Sequence, residues 1–347
     1  MTPTSYNPQQ KNGETYEIKA YLAGEVSEEE DGIKTLTFDE FIHWYSTGQI
    51  SGLLIPIDNY MDNNSLTSLL MKNGVKLEDV YILPRVDEEV LDPDKLPKLI
   101  TPYYSSKYLP YLEFHAADHC NLNCAACEHY SGLLDEEKYP KLDRLKEDLS
   151  KLHEFFDDIA TIRILGGEPL LNPEINEIIK MTKQQYPGTF LRVVTNGLKL
   201  FSMSDSFFET LRDQGVRLDI SLYPPLQERR AELESLLTKK QTLQPSDNAE
   251  AVFYNCAQAH CHNLYEGKIA ACFLPFTTKY FNDYFHMEIP EDGAVDLYEE
   301  GMTTEIIKKA LNRSFQRCAY CTSPVPIEWS TIHNPSVLSD WVNEASA

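Results

Sequence analysis

Between residues 110 and 250, apolar runs of strand length alternate with stretches in which apolar residues recur every three or four positions. YLEFHAADHC reads as a strand running into a loop, and KLDRLKEDLSKLHEFFDD places Leu142, Leu145, Leu149, Leu152 and Phe156 on one helical stripe. TIRILGG predicts a strand, PEINEIIKMTKQQ a helix entered at Pro173, FLRVVTNG a strand, DSFFETLRDQG a helix stopped at Gly215, and VRLDISLYP another strand. Four β/α units in succession predict a parallel sheet or barrel, whose chemistry gathers where the C-terminal ends of the strands and their loops converge. Here those ends carry Cys120 to Cys127, GGEP (166–169), TNG (195–197) and SLYPP (221–225).

The same alternation, without chemistry-bearing ends, runs through residues 16–105 and predicts a small α/β domain. TYEIKAYLAG, ISGLLIPID and EDVYILPR read as strands, TLTFDEFIHWYSTG and SLTSLLMKNG as helices. A parallel, Rossmann-like sheet is expected, but no G-x-G-x-x-G follows a strand, so the phosphate cradle is missing and a binding or docking role is left. Residues 1–15 read as a disordered polar tail, and the Pro- and Asp-rich stretch 92–102 as a linker into a core domain at 106–250. Residues 251–347 hold five cysteines and little periodicity, as expected of a small region organised by metal.

Composition narrows the class. The chain has 347 residues, 42% of them hydrophobic, with a net charge of −23 that repels phosphate backbones and anionic membrane faces. No nucleic-acid or membrane partner is expected; the start of the chain lacks a secretory pattern and no apolar run spans a bilayer, so a cytoplasmic location is expected. In a reducing compartment, eight cysteines clustered after residue 119 point to metal binding or catalysis rather than to disulfides.

CNLNCAAC supplies three thiolates, Cys120, Cys124 and Cys127, on one loop after a strand. Three ligands leave one iron of a four-iron cubane bare; a closed zinc site is the competing reading and would draw its fourth ligand from His115, His119 or His129. The glycines of GGEP allow close backbone approach, and Glu168 is placed to accept hydrogen bonds from an ammonium group. This C-x3-C-x2-C loop, followed by strand–GGEP and strand–TNG, resembles the radical S-adenosylmethionine (SAM) superfamily over roughly residues 110–330. The resemblance implies a partial (β/α)6 barrel in which Cys120, Cys124 and Cys127 hold a 4Fe-4S cluster that chelates SAM. It implies that Gly166, Gly167 and Glu168 receive the methionine amino group, with Asn196 and Ser221 in place for ribose contacts. The residue before the third cysteine, usually aromatic in that superfamily, is Ala126.

Cys256, Cys261, Cys272, Cys318 and Cys321 resemble the auxiliary-cluster extension of the SPASM and twitch subfamilies, with C-x10-G-x4-C from Cys256 through Gly267 to Cys272 and then CxxC. EGKIAAC reads as the turn and second strand of a hairpin presenting Cys272. Four ligands to a second 4Fe-4S cluster are implied, from Cys256, Cys272, Cys318 and Cys321, with Cys261 in place of Cys256 as the open alternative. The spare thiol is either packed and inert or a hydrogen-atom donor to a substrate radical.

The resemblance extends to radical SAM proteins associated with glycosyltransferase and polysaccharide gene clusters. It implies oxidation or epimerisation at a C–H bond of a sugar-bearing substrate, with an electron donor such as flavodoxin or ferredoxin as partner. A maturase acting on a ribosomally made peptide and a zinc-stabilised, non-catalytic binding protein are the two competing functions.

Overall fold

The computed structural model describes residues 4–8, 16–22, 29–30, 33–56, 69–83, 100–221, 236–238, 243, 245–256, 258–322, 325–327 and 330–342. They fall into two compact units, residues 1–108 and 109–347. The expected core domain at 106–250 and the SPASM-like segment 251–347 fall within the second of these units. The linker expected at 92–102 lies mostly outside the described residues.

In the first unit the strands are β1 (Thr4–Pro8), β2 (Tyr16–Leu22), β3 (Glu29–Glu30), β4 (Ile33–Leu36), β5 (Gly52–Pro56), β6 (Val80–Leu83) and β7 (Thr101–Pro102). They hydrogen-bond in the order β3-β4-β2-β1-β5-β6-β7. Helix α1 (Phe38–Ser46) is set by a capping box, in which Thr37 Oγ1 accepts from the Glu40 amide at 3.3 Å and Glu40 Oε2 accepts from the Thr37 amide at 2.9 Å. Two expectations fail here. The stretch 1–15 contributes strand β1, because a polar sequence still carries the backbone donors and acceptors that pair with β2 on one side and β5 on the other. The sheet is mixed rather than parallel: β1 runs antiparallel to both neighbours, while β2–β4 and β5–β6 are parallel.

The second unit opens with β8 (Tyr108–Ala117), whose 10 residues are all buried. It continues through α2 (Leu142–Phe155), β9 (Asp158–Gly166), α3 (Ile175–Gln185), β10 (Phe190–Thr195), α4 (Asp205–Asp213) and β11 (Arg217–Ile220). After β12 (Leu236–Thr238) come α5 (Ala249–Tyr254), β13 (Asn263–Tyr265), β14 (Lys268–Ala270), α6 (Leu274–Phe285), β15 (Ala294–Asp296), α7 (Thr304–Leu311) and β16 (Val325–Ile327). The described sheet runs β11-β10-β9-β8-β13-β14-β15, and β12 pairs separately with β16. Successive β/α units thus build outward from β8 on one side. On the other side β13 joins in parallel, with Asn263 opposite Glu113, and leads into an antiparallel hairpin instead of a further β/α unit.

Alternation along the strands separates two faces. Leu112, Phe114, Ile162, Ile164, Leu191 and Val193 belong to the core that also holds Leu145, Leu149 and Leu152 of α2. Each such side chain contributes about 1.5–3 kcal/mol by leaving water. The alternate residues Glu113, Arg163, Leu165 and Val194 line a cavity. Gly267 turns the β13–β14 hairpin at φ +77°, and a Cβ there would lie 2.4 Å from Arg144 and 2.8 Å from Tyr298, so size and conformation both demand glycine.

His260 and His262, at the entry to β13, are buried, and burial pushes their pKa values down to about 4 and about 3. The unfolded chain therefore takes up protons near pH 6.5 that the folded chain refuses. Stability is complete above that pH and falls as acid is added, by up to about 1.4 kcal/mol per pH unit for each histidine. Urea unfolding between pH 7 and 5 should show this slope, and His262→Gln should flatten it; an unchanged slope would refute the assignment.

Candidate active site

The first cysteine loop leaves the C-terminal end of β8 and is gripped at its root by the GGEP turn. The Gly167 amide donates to the Ala117 carbonyl at 2.8 Å and the Glu168 amide to the His119 carbonyl at 3.0 Å. At this separation no side chain fits: a Cβ on Gly166, whose φ is +133°, would lie 2.1 Å from the Ala117 oxygen, and one on Gly167 2.2 Å from the His119 oxygen. The loop's far side is held by the C-terminal segment. The Ala125 and Ala126 amides donate to the Ser330 and Asp340 carbonyls at 2.9 and 2.8 Å, and Ile332 donates back to Asn123 at 2.9 Å.

Cys120, Cys124 and Cys127 line a cavity of about 390 Å³ together with Gly166, Gly167, Asn196 and Ser221. Cys261 lines it too, brought in by the segment preceding β13. Glu168 is not among the lining residues. It is fully buried, with Oε1 accepting from Leu170 N at 3.0 Å and Thr195 Oγ1 at 2.7 Å, and Oε2 from Asn196 N at 2.8 Å. Its carboxylate thus fastens GGEP to the TNG loop. Burial raises its pKa, against the pull of those three donors. The Asn196 side chain is likewise committed, donating to Asn121 Oδ1 at 2.7 Å and accepting from Leu198 N at 3.0 Å. Tyr223 lies outside the described residues.

The donor set suits an iron–sulfur cluster. Burial pushes the thiols of Cys120 and Cys127 up to about 12 and about 11, so as thiolates they require a cationic partner. Among the described residues no three His, Cys, Asp or Glu side chains are grouped to hold a single metal ion. Of the histidines considered as zinc ligands, His115 Nδ1 meets Asp118 Oδ1 at 2.8 Å and His129 Nδ1 meets His115 Nε2 at 3.0 Å, while His119 Nδ1 accepts from Lys138 N at 2.9 Å and its Nε2 is buried without a partner. Ala126 is buried in the left-handed region at φ +55°, where its lack of bulk suits it. Phe273 is the aromatic that lines the cavity, stacked on His129 at 4.2 Å.

The other cysteines divide. Cys256, Cys272, Cys318 and Cys321 line a second, closed cavity with Phe253 and Phe315, while Cys261 lines the first. Cys272 follows β14, as the hairpin reading expected. About 20 Å³ is open in the second cavity, so a cluster would occupy space the thiols themselves now fill. Burial raises Cys272 well above an ordinary thiol and Cys318 to about 12. The fully buried guanidinium of Arg317 lies 3.8 Å from Cys321 Sγ and supplies positive charge to this set.

Two polar groups adjoin the cavity; Asp118 of the first was expected only to hydrogen-bond the amides of the cysteine loop, and the second was not expected. Asp118 accepts from Tyr280 at 2.6 Å and Tyr265 at 2.8 Å besides its contact with His115; despite burial, these partners hold its pKa below the usual carboxylate range. Glu113, Arg163 and Tyr111 form a second group. The available signal was polar residues at alternate positions of a strand too apolar to be exposed, as in LEFHAAD.

Residues 116–249 match the family model described as the Radical SAM superfamily. The GTP 3',8-cyclase of Lactiplantibacillus plantarum is 32% identical over 117 residues, 32% of this chain and 33% of that protein. Molybdenum cofactor biosynthesis protein 1 of Bos taurus is 31% identical over 93 residues, 26% of this chain and 14% of that protein. The chain thus spans about a third or less of the length of these curated relatives. Among solved structures, BtrN in complex with AdoMet and 2-DOIA is 15% identical with a TM-score of 0.39, covering 62% of this chain and 93% of that one. Streptococcus suis SuiB bound to S-adenosylmethionine is 18% identical with a TM-score of 0.29, covering 38% and 28%. Among the described residues no helix is long and apolar enough to cross a membrane.

Gly167→Ala should force the cysteine loop off GGEP. After anaerobic reconstitution this variant should carry about four fewer irons than the parent, the content of one cluster; equal iron content would show that the close approach does not set the loop.

Proposed function

We propose that this chain is a radical SAM enzyme with a second, auxiliary 4Fe-4S cluster, and that it oxidises or epimerises a C–H centre of a sugar-bearing small molecule. The observation that carries the reading is the shared wall: Cys120, Cys124, Cys127, Gly166, Gly167 and Cys261 all border one cavity at the strand ends. With cluster and SAM bound, that cavity is supplied with a 5′-deoxyadenosyl radical able to take hydrogen from an unactivated C–H bond.

The chain's own residues do the rest. Cys120, Cys124 and Cys127 hold the cluster, and the Gly166–Gly167 edge lets SAM approach the backbone. Phe273 offers an aromatic face where Ala126 offers none. Cys256, Cys272, Cys318 and Cys321 would hold the auxiliary cluster, which would supply an electron acceptor for an oxidation. Cys261 borders the same cavity and would return a hydrogen atom from its S–H in an epimerisation, the resulting thiyl being restored by one electron from the flavodoxin- or ferredoxin-type donor and one proton from water. A peptide maturase would be expected to carry an N-terminal docking unit of winged-helix type; the described strands of residues 1–108 form a mixed sheet, which favours a small-molecule substrate over a peptide.

Protein purified anaerobically should be brown with about eight irons, two clusters of four. With dithionite it should cleave SAM to 5′-deoxyadenosine. Cys120→Ala should lower iron to about four and abolish cleavage, whereas Cys272→Ala should lower iron equally and leave cleavage in place. A colourless, zinc-loaded protein would end the proposal.

Incubated with nucleotide sugars in deuterated water, an epimerase should place deuterium on product carbon, and Cys261→Ala should lose that label while still cleaving SAM. Unchanged labelling would remove Cys261 from the reaction.

A further inference from the structure

We propose that Glu113 and Arg163 form a hydroxyl-binding subsite in the wall of the cysteine-lined cavity, suited to a neutral polyol or sugar ring. The inference deepens the proposed function and rests on it for the substrate's place beside the radical. Glu113 on β8 and Arg163 on β9 occupy neighbouring strands and both line the cavity. Their arrangement is unlike a closed ion pair. The nearest contact, Arg163 Nη1 to Glu113 Oε2, is 3.8 Å, with Tyr111 set between them. Arg163 Nη1 donates to the Tyr111 hydroxyl at 2.7 Å, and that hydroxyl donates to Glu113 Oε2 at 2.8 Å. Tyr111 has thereby spent its proton on Glu113.

The Arg163 side chain is 28% exposed and lines the cavity beside a buried carboxylate, so a ligand there meets a donor and an acceptor side by side. The ligand must accept from Arg163 and donate to Glu113. A hydroxyl does both, and two adjacent hydroxyls do so with one each. A carboxylate or phosphate would be repelled by Glu113, and an ammonium by Arg163. The third charged residue on the wall, Glu128, accepts from Gln258 and adds a further negative charge that disfavours anions.

The test uses the anaerobically reconstituted holoprotein with SAM. Binding of methyl glucoside and of myo-inositol is measured by calorimetry against citrate as the anionic probe. Wild type should bind a polyol and not citrate. Arg163→Met and Glu113→Leu should each weaken polyol binding about tenfold or more, and Arg163→Lys by less. Unchanged iron content and an unchanged circular dichroism spectrum show that each variant is folded and loaded; Glu113→Gln and Arg163→Gln replace any that is not. Failure of wild type to bind either polyol, or equal binding by folded variants, overturns the subsite. Tighter binding of citrate that strengthens as pH falls overturns it too, since an anion requires protonated Glu113. Absence of SAM cleavage in wild type would instead defeat the proposed function, which the binding measurement does not touch.

Discussion

Two glycines pressed against the exit of the first core strand set the geometry on which the rest depends. With Gly166 and Gly167 stripped of side chains, the backbone after β9 hydrogen-bonds directly to Ala117 and His119, the residues that launch the cysteine loop. The three thiols are thereby tied to a rigid strand end instead of riding on a free loop. Glu168 continues the tie: its amide reaches the end of β8 and its carboxylate accepts from Thr195 and Asn196 at the end of β10. Thr195 completes it by accepting from the Gly197 amide at 3.0 Å while donating to Glu168. GGEP and TNG thus act as one hydrogen-bonded unit, and the role of Glu168 is to fix the floor on which a cofactor rests.

A second consequence follows from closing a sheet around polar chemistry. Strands whose two faces are both buried normally carry apolar residues throughout, since an unsatisfied polar group costs roughly 1–3 kcal/mol. On β8 this cost is met with partners: Tyr111 and Arg163 for Glu113, and Asp118 and His129 for His115. Asp118 also draws in Tyr265 of β13 and Tyr280 of α6, so elements more than 140 residues away in sequence converge on the root of the cysteine loop. A carboxylate with several donors is both stable when ionised and demanding of their positions. The network therefore orients the hairpin side of the sheet relative to the β/α side.

How much of this the sequence disclosed depends on the range of the interaction. The β/α succession, α2, α3, α4 and the hairpin at Gly267 were legible because periodicity and glycine placement are local properties. The two cysteine sets were legible because ligand spacing is local as well. What escaped depends on pairing across the fold. A polar stretch such as Thr4–Pro8 becomes a strand only because β2 and β5 leave a gap between them, and the antiparallel direction of β1 is invisible in its residues. Likewise, the tie from Glu168 to Thr195 and Asn196, 27 and 28 residues further on, cannot be read from GGEP itself. Continuity of one sheet across residue 250 follows from Asn263 pairing opposite Glu113, which no composition shift announces.

The separation of Cys256 from Cys261 shows how a short stretch of chain can serve two cavities. Cys256 ends the turn after α5, its amide donating to the Phe253 carbonyl at 3.0 Å, and packs with Phe253 and Cys318. Five residues later Cys261 closes another turn onto the Gln258 carbonyl at 3.0 Å, and Gln258 reaches across to Glu128 of the first cysteine loop. His260 and His262 on either side are buried, so the chain is pinned there and Cys261 is held at the cavity rather than free to exchange with Cys256. A ligand set drawn from Cys261 would require this pinned turn to reverse. One drawn from Cys256 requires only that thiols already sharing a cavity turn toward one another. The fold thus assigns the two thiols different surroundings before any metal enters: one among sulfur and phenylalanine, the other facing Glu113 and Arg163 across the space where a substrate would lie.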